Sequence, residues 1–191
     1  PIEDPALEEG PPLRSNHLPA ENEPQIMTWL RRSYHATKMT PVADFSEEDW
    51  RRLQFGYYRM IEMVDRRLGE IMESLRDTGQ EDNTLVVFVS DHGDCQGAHK
   101  WNQKTVLYDE ASRVPFAFYW KGTIEPGRRD QLTQTGIDLM PTLCGMAGID
   151  TPDNLPGNDL SGVIMRNEGG ERDYIVAETH FVQGEPIDGV R

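Results

Sequence analysis

Six residues near the middle of this chain have the types and spacing of a site for a negatively charged group: Asp91, His92, Gly93, Gly97, His99 and Lys104. Five consecutive apolar residues, Leu85 to Val89, lead through Ser90 into an acid, an imidazole and a glycine. A carboxylate and a neutral imidazole both offer lone pairs to a divalent cation. Lys104, thirteen residues beyond Asp91, would return positive charge to the same place, where it could clamp an oxyanion. Neighbouring side chains on an extended strand point in different directions, so Asp91 and His92 share a ligand only where the chain turns. Gly93 permits that turn. Histidine suits proton transfer near neutral pH, so His99 could donate a proton or orient a leaving group.

Each residue also has a plainer reading. Asp91 would cap a turn, His92 would be a polar loop residue, His99 would only fix the loop, and Lys104 would be a solvated surface lysine. The buried strand directly before Asp91 favours a site, because open α/β sheets bind ligands beyond the carboxyl ends of their strands. A zinc centre from Asp91, His92, Cys95 and His99 has suitable ligand types. Structural zinc sites usually draw on two paired knuckles, however, and only one is present, so Cys95 reads as a small loop residue.

The elements that must position these residues follow from periodicity. Ser46 is an N-cap, with Glu47, Glu48 and Asp49 at the positive end of the helix dipole. Trp50, Leu53, Tyr57, Met60, Ile61, Val64, Leu68, Ile71, Met72 and Leu75 then recur at three- and four-residue steps, which predicts one long helix with a mostly buried stripe ending at Gly79. Asn83 to Ser90 reads as a strand buried on both faces, and Pro115 to Trp120 as a second strand. Asp138 to Ala147 reads as a helix with Pro141 in its first turn and Gly148 as its stop, and Tyr174 to Ala177 as a third strand. Residues 1–25 carry six prolines and read as an irregular surface segment; Met27, Trp29 and Leu30 suggest a short helix before Pro41. This gives an irregular part, 1–45, and an α/β domain, 46–191.

Composition bounds the function. The 191 residues hold 33 acidic and 19 basic side chains, a formal charge of -14, which argues against nucleic acid as a partner. No apolar run approaches the ~20 residues that span a bilayer, so no membrane partner is expected. Two widely separated cysteines, Cys95 and Cys144, make no disulfide framework. His17, His35 and His180 lie in no motif and read as surface or packing residues.

The segments Glu81 to Gly93 and Gly97 to Lys104 strongly resemble the strand and metal loop of type I sulfatases, in the alkaline phosphatase superfamily. So do Tyr108-Asp109-Glu110, Arg113-Val114-Pro115-Phe116, Gly136 to Leu143 and Ala147-Gly148-Ile149, while Tyr57-Tyr58, Val64-Asp65 and Leu68-Gly69 look like the helix before that strand. The resemblance covers residues 50 to 180. It implies an alkaline-phosphatase-like fold, with a mainly parallel central sheet flanked by helices, and a sulfuric ester hydrolase that uses a divalent cation, usually Ca2+. It further implies Asp91 and His92 as metal ligands, Lys104 on a sulfate oxygen and His99 near the pocket. A sulfated small molecule or glycan would be the substrate. Family habit alone suggests a periplasmic, secreted or lysosomal location, and nothing sets an oligomeric state.

The chain departs from the family in what it lacks. The family nucleophile is a formylglycine made from the cysteine of Cys-x-Pro-x-Arg or Cys-x-Ala-x-Arg. Cys95 is followed by Gln96-Gly97-Ala98-His99 and Cys144 by Gly145-Met146-Ala147-Gly148. The family's Asp-Asp metal pair has no counterpart either, since no two aspartates are adjacent. The expectation is therefore a fragment of a larger sulfatase-like enzyme, with the formylglycine in an N-terminal segment outside this chain, and no activity for the isolated chain. Two other readings stand beside it: a phosphoesterase or phosphonate monoester hydrolase of the same superfamily, and a non-catalytic module that binds sulfated glycans.

Overall fold

The computed structural model describes residues 11–36, 42, 44–169 and 172–177. In chain order the elements are α1 (Gln25–Ala36), α2 (Glu47–Asp77), β1 (Val86–Val89), a short α3 (Asp109–Ser112), β2 (Phe116–Tyr119), α4 (Thr135–Ala147) and α5 (Ser161–Arg166). They group into two compact units. One holds the described residues up to Arg67 together with His92–Arg113; the other holds Leu68–Asp91 and Val114–Ala177.

Helix α2 starts and stops where its end chemistry dictates. The Ser46 hydroxyl accepts from the Asp49 amide at 3.2 Å, and the Asp49 carboxylate accepts from the Ser46 amide at 2.9 Å. This reciprocal pair satisfies donors that the first turn leaves open. The far end closes at Gly79, whose φ of 67° is left-handed, with the Gln80 amide returning to the Leu75 carbonyl at 2.9 Å.

The apolar stripe of α2 is less buried than its period implies. Trp50 is fully buried and Leu53, Tyr57, Leu68, Met72 and Leu75 are half-buried, but Met60, Ile61, Val64 and Ile71 are 47–55% exposed. A helical period names an apolar face without naming what covers it, and among the described residues these four side chains stay open to solvent.

Strands β1 and β2 pair antiparallel, with Val86 opposite Tyr119 and Val89 opposite Phe116. β1 is shorter than its apolar run because Glu81–Asn83 forms a 3₁₀ turn in front of it. Among the described residues β1 has one neighbouring strand and is not buried on both faces, and Phe88 is exposed. Glu81 pins the register: its carboxylate accepts from the Tyr119 hydroxyl at 2.9 Å and Arg76 Nε at 3.2 Å, and lies 3.1 Å from Lys121 Nζ.

Helix α4 begins at Thr135, three residues before the expected start, so Pro141 falls in its second turn. Asp138 lies inside the first turn, and its Oδ2 reaches back to accept from the Gln134 amide at 2.7 Å. Pro141 has no N–H to offer the Ile137 carbonyl, and Gly157 packs on that oxygen so closely that a Cβ there would lie 2.0 Å from it. The expected strand Tyr174 to Ala177 is not formed. Its residues are exposed, and the Val176 carbonyl accepts from the Gln134 side chain at 2.6 Å. The run has strand propensity, but among the described residues no strand pairs with it. Among the described residues no helix is long and apolar enough to cross a membrane.

Candidate anion and metal site

The segment that follows β1 leaves the strand through Ser90 and Asp91, and His92 opens the stretch that belongs to the first unit. Asp91 is exposed and His92 half-buried. His92 Nδ1 donates to the Gly93 carbonyl at 2.8 Å. That bond fixes the tautomer with its lone pair on Nε2, the arrangement in which metal-binding histidines are commonly held. Gly93 serves the loop by close approach: its amide donates to the Ala111 carbonyl at 2.9 Å, and a Cβ would lie 2.0 Å from the Glu110 carbonyl oxygen.

From Gln96 to Thr105 the backbone is unusual. Gln96, His99, Lys100, Gln103 and Thr105 all have φ between 46° and 77°, a region that side-chain-bearing residues seldom adopt. Such a loop persists only where its surroundings over-determine it, and here three segments of the same unit do so. The Asn16 and His17 carbonyls accept from the His99 and Lys100 amides, both at 2.8 Å. The buried His17 ring donates to the Gly97 carbonyl at 2.7 Å. From α1, Arg31 Nε donates to the His99 carbonyl at 3.0 Å; from α2, Gln54 donates to the Gln96 carbonyl at 2.8 Å. Trp50 lies under Gly97, edge-on to His17 and Phe45. The core beneath the loop is Cys95, Trp101, Val106 and Ala111, with Met27, Leu30 and Tyr108 packed against it.

His99 is held on three sides. Its ring stacks on Tyr108 with centroids 3.9 Å apart, Nε2 lies 3.3 Å from the Asn16 amide nitrogen, and Glu110 Oε2 is 3.8 Å away. Asn16 also donates to Glu110 Oε1 at 2.6 Å. Burial alone would push the Glu110 carboxyl up, but the hydrogen bond from Asn16, its own backbone amide and the neighbouring His99 and Arg14 together hold it below the ordinary range. A carboxyl lowered in the folded state contributes stability above its unfolded pKa and loses it as pH falls through the folded one. Asn16→Ala removes the largest lowering contact. The Glu110 carboxyl carbon, followed by NMR, should then titrate at higher pH, and acid unfolding should begin earlier. An unchanged titration would contradict this geometry.

Lys104 is exposed on the outer turn of the loop, and the Trp101 indole donates to its carbonyl at 3.1 Å. Trp101 itself is only 2% exposed, so its ring is core and offers no platform to a sugar. Cys95 is fully buried, and burial together with the Asp94 and Glu110 carboxylates pushes its thiol up to about 12. A thiol that stays protonated is no nucleophile. Among the described residues no three His, Cys, Asp or Glu side chains gather as a metal cage. The structure thus unites His99 with Asn16, Tyr108 and Glu110. Of these, Asn16 had no sequence signal, lying 83 residues away in a proline-rich stretch.

A family model described as Sulfatase matches residues 11–149. An arylsulfatase of Clostridium perfringens (strain 13 / Type A) is 35% identical over 134 residues, covering 69% of this chain and 28% of that protein. The chain therefore spans less than a third of that relative's length. A solved 2-O GAG sulfatase superposes with a TM-score of 0.72 at 30% identity, over 91% of this chain and 37% of the other. A phosphonate monoester hydrolase from Silicibacter pomeroyi superposes with a TM-score of 0.67 at 26% identity, over 83% of this chain and 33% of the other. The architecture is accordingly α/β and forms part of an alkaline-phosphatase-like fold. The family match, the relatives and the superpositions agree: this chain belongs to the sulfatase family.

Proposed function

We propose that this chain supplies part of the centre of an enzyme that hydrolyses sulfate esters of small molecules or glycans. The observation that carries the reading is the over-determined loop from Gln96 to Thr105, which follows Asp91 and His92 in the chain and leaves Lys104 exposed. Asp91 and His92 are assigned as two ligands of a divalent cation, taken as calcium, with His92 binding through Nε2. Calcium takes six to eight hard donors. One carboxylate and one imidazole fit only part of that shell, so no step is routed through the ion; when bound, it would supply positive charge beside the sulfate oxygens.

Lys104 is assigned the anion clamp, its ammonium drawing in the sulfate and stabilising charge that develops on its oxygens. His99 enters through the Asn16, Tyr108 and Glu110 network, which fits a ring that fixes the loop beside the reacting group. Neither cysteine can start the reaction: Cys95 is buried with a raised thiol pKa, and Cys144 has no arginine four residues on. The nucleophile is assigned to a formylglycine outside these 191 residues.

The purified chain should show no turnover of 4-nitrophenyl sulfate. In a protein that joins this chain to a formylglycine segment, Lys104→Met should lower kcat/KM by about 10²–10³. Turnover by the chain alone, or an unaffected Lys104→Met enzyme, would overturn the assignment. The superposition on a phosphonate monoester hydrolase favours a second reading. The ratio of kcat/KM for sulfate and phosphonate esters of one leaving group separates the two.

A further inference from the structure

We infer that Trp101 is a positioning residue for Lys104, acting through its indole N–H and not through its ring surface. The inference rests on the assignment of Lys104 as the sulfate clamp. A buried indole N–H usually finds an acceptor. The acceptor here is the carbonyl of Lys104 itself, at 3.1 Å. The residues on either side of Lys104 are both left-handed, Gln103 at φ 66° and Thr105 at φ 77°. A β-branched residue rarely takes that conformation, so the turn relaxes unless something holds it.

Two tethers hold it. On one side the Gln103 amide donates to Asp94 Oδ1 at 3.2 Å, while the Gln103 carbonyl accepts from the Cys95 amide at 3.0 Å. On the other side is the Trp101 N–H. The indole cannot drift, because its ring is packed with Cys95, Val106 and Ala111 and lies under the Arg31 guanidinium, 5.9 Å from the ring centroid. The core of the unit thus reaches by one hydrogen bond to the backbone that carries the clamp's charge. Lys104 pays less conformational entropy on meeting an anion when that backbone is already set.

The test is NMR titration of the 191-residue chain with inorganic sulfate, read at the amides of Gln103, Lys104 and Thr105. Trp101→Phe keeps an aromatic ring and removes the donor. It should weaken the sulfate response about three- to tenfold, the span of one lost hydrogen bond, and lower the heteronuclear NOE across Gln103 to Thr105. In a Lys104→Met background it should have no further effect on the residual response. An equal loss in that background means a general structural role and overturns the inference, as does unchanged affinity in the single variant. No sulfate response at Lys104 in the unaltered chain overturns the clamp assignment and the inference with it. Should Trp101→Phe not fold, Asp94→Ala breaks the other tether and must weaken the response in the same Lys104-dependent way; an unaltered response refutes positioning by this turn.

Discussion

Arg172→Ala is expected to destabilise the chain by about 3–5 kcal/mol, because it leaves a buried carboxylate without its partner. Asp138 is completely buried, and Arg172 meets it with two parallel bonds, Nη1 to Oδ2 and Nη2 to Oδ1, both 2.8 Å. The Gln134 and Asn158 amides complete its shell at 2.7 and 2.9 Å. The same carboxylate therefore ties the start of α4, the loop before α5 and the segment at Arg172. Burial pushes the Asp138 carboxyl up, but Arg172 and the two amides outweigh it and hold the group below its ordinary value. Its contribution is present above the unfolded carboxylate pKa and lost as pH falls through the lowered folded one. Without Arg172 the burial remains and the largest lowering contact goes, so acid unfolding should move to higher pH. Arg172→Lys keeps the charge but not the fork and should lose an intermediate amount. Urea unfolding of the three proteins checks this; a loss below about 1 kcal/mol in Arg172→Ala would mean the pair is peripheral.

Gly93→Ala should cost about 3 kcal/mol, at the upper end for a group forced into a packed site. The added Cβ would sit 2.0 Å from the Glu110 carbonyl oxygen and 3.0 Å from its carbon, neither of which is the end of a flexible side chain. Relief requires separating the His92–Gly93 backbone from α3, breaking the bond between the Gly93 amide and the Ala111 carbonyl. Thermal unfolding should show the loss, and the Glu110 and His99 resonances should shift with it. A variant as stable as the parent, with those signals unmoved, would contradict the close approach.

What the sequence made legible was local. The ends of α2 were readable because Ser46, Asp49 and Gly79 carry cap chemistry in their own side chains and φ angles. β1 and β2 were readable from short apolar runs. The start of α4 at Thr135, ahead of the expected Asp138, was not readable, because the buried contact of the Asp138 carboxylate with the Gln134 amide leaves no pattern in the sequence. The exposure of Met60, Ile61, Val64 and Ile71 was not readable, since a helical period names a face without naming what covers it. The same limit applies to the site. Residue type and order pointed to Asp91, His92 and Lys104, whereas Asn16 with His99, or Arg31 with Trp101, meet across long stretches of chain that no period connects. Gly93 was identified as special for its freedom to turn, and the structure gives a steric reason instead.

The most direct measurement is a calcium titration of the 191-residue chain with NMR signals of Asp91 and His92 resolved. The acidic surface, with 33 carboxylates against 19 basic groups, attracts cations everywhere, so a bulk binding curve would not decide. The proposed half-site predicts saturable shifts at Asp91 and at His92 Nε2 with an affinity of about millimolar or weaker, abolished together by Asp91→Asn. Shifts spread over the acidic surface with none at Asp91 and His92 would contradict it.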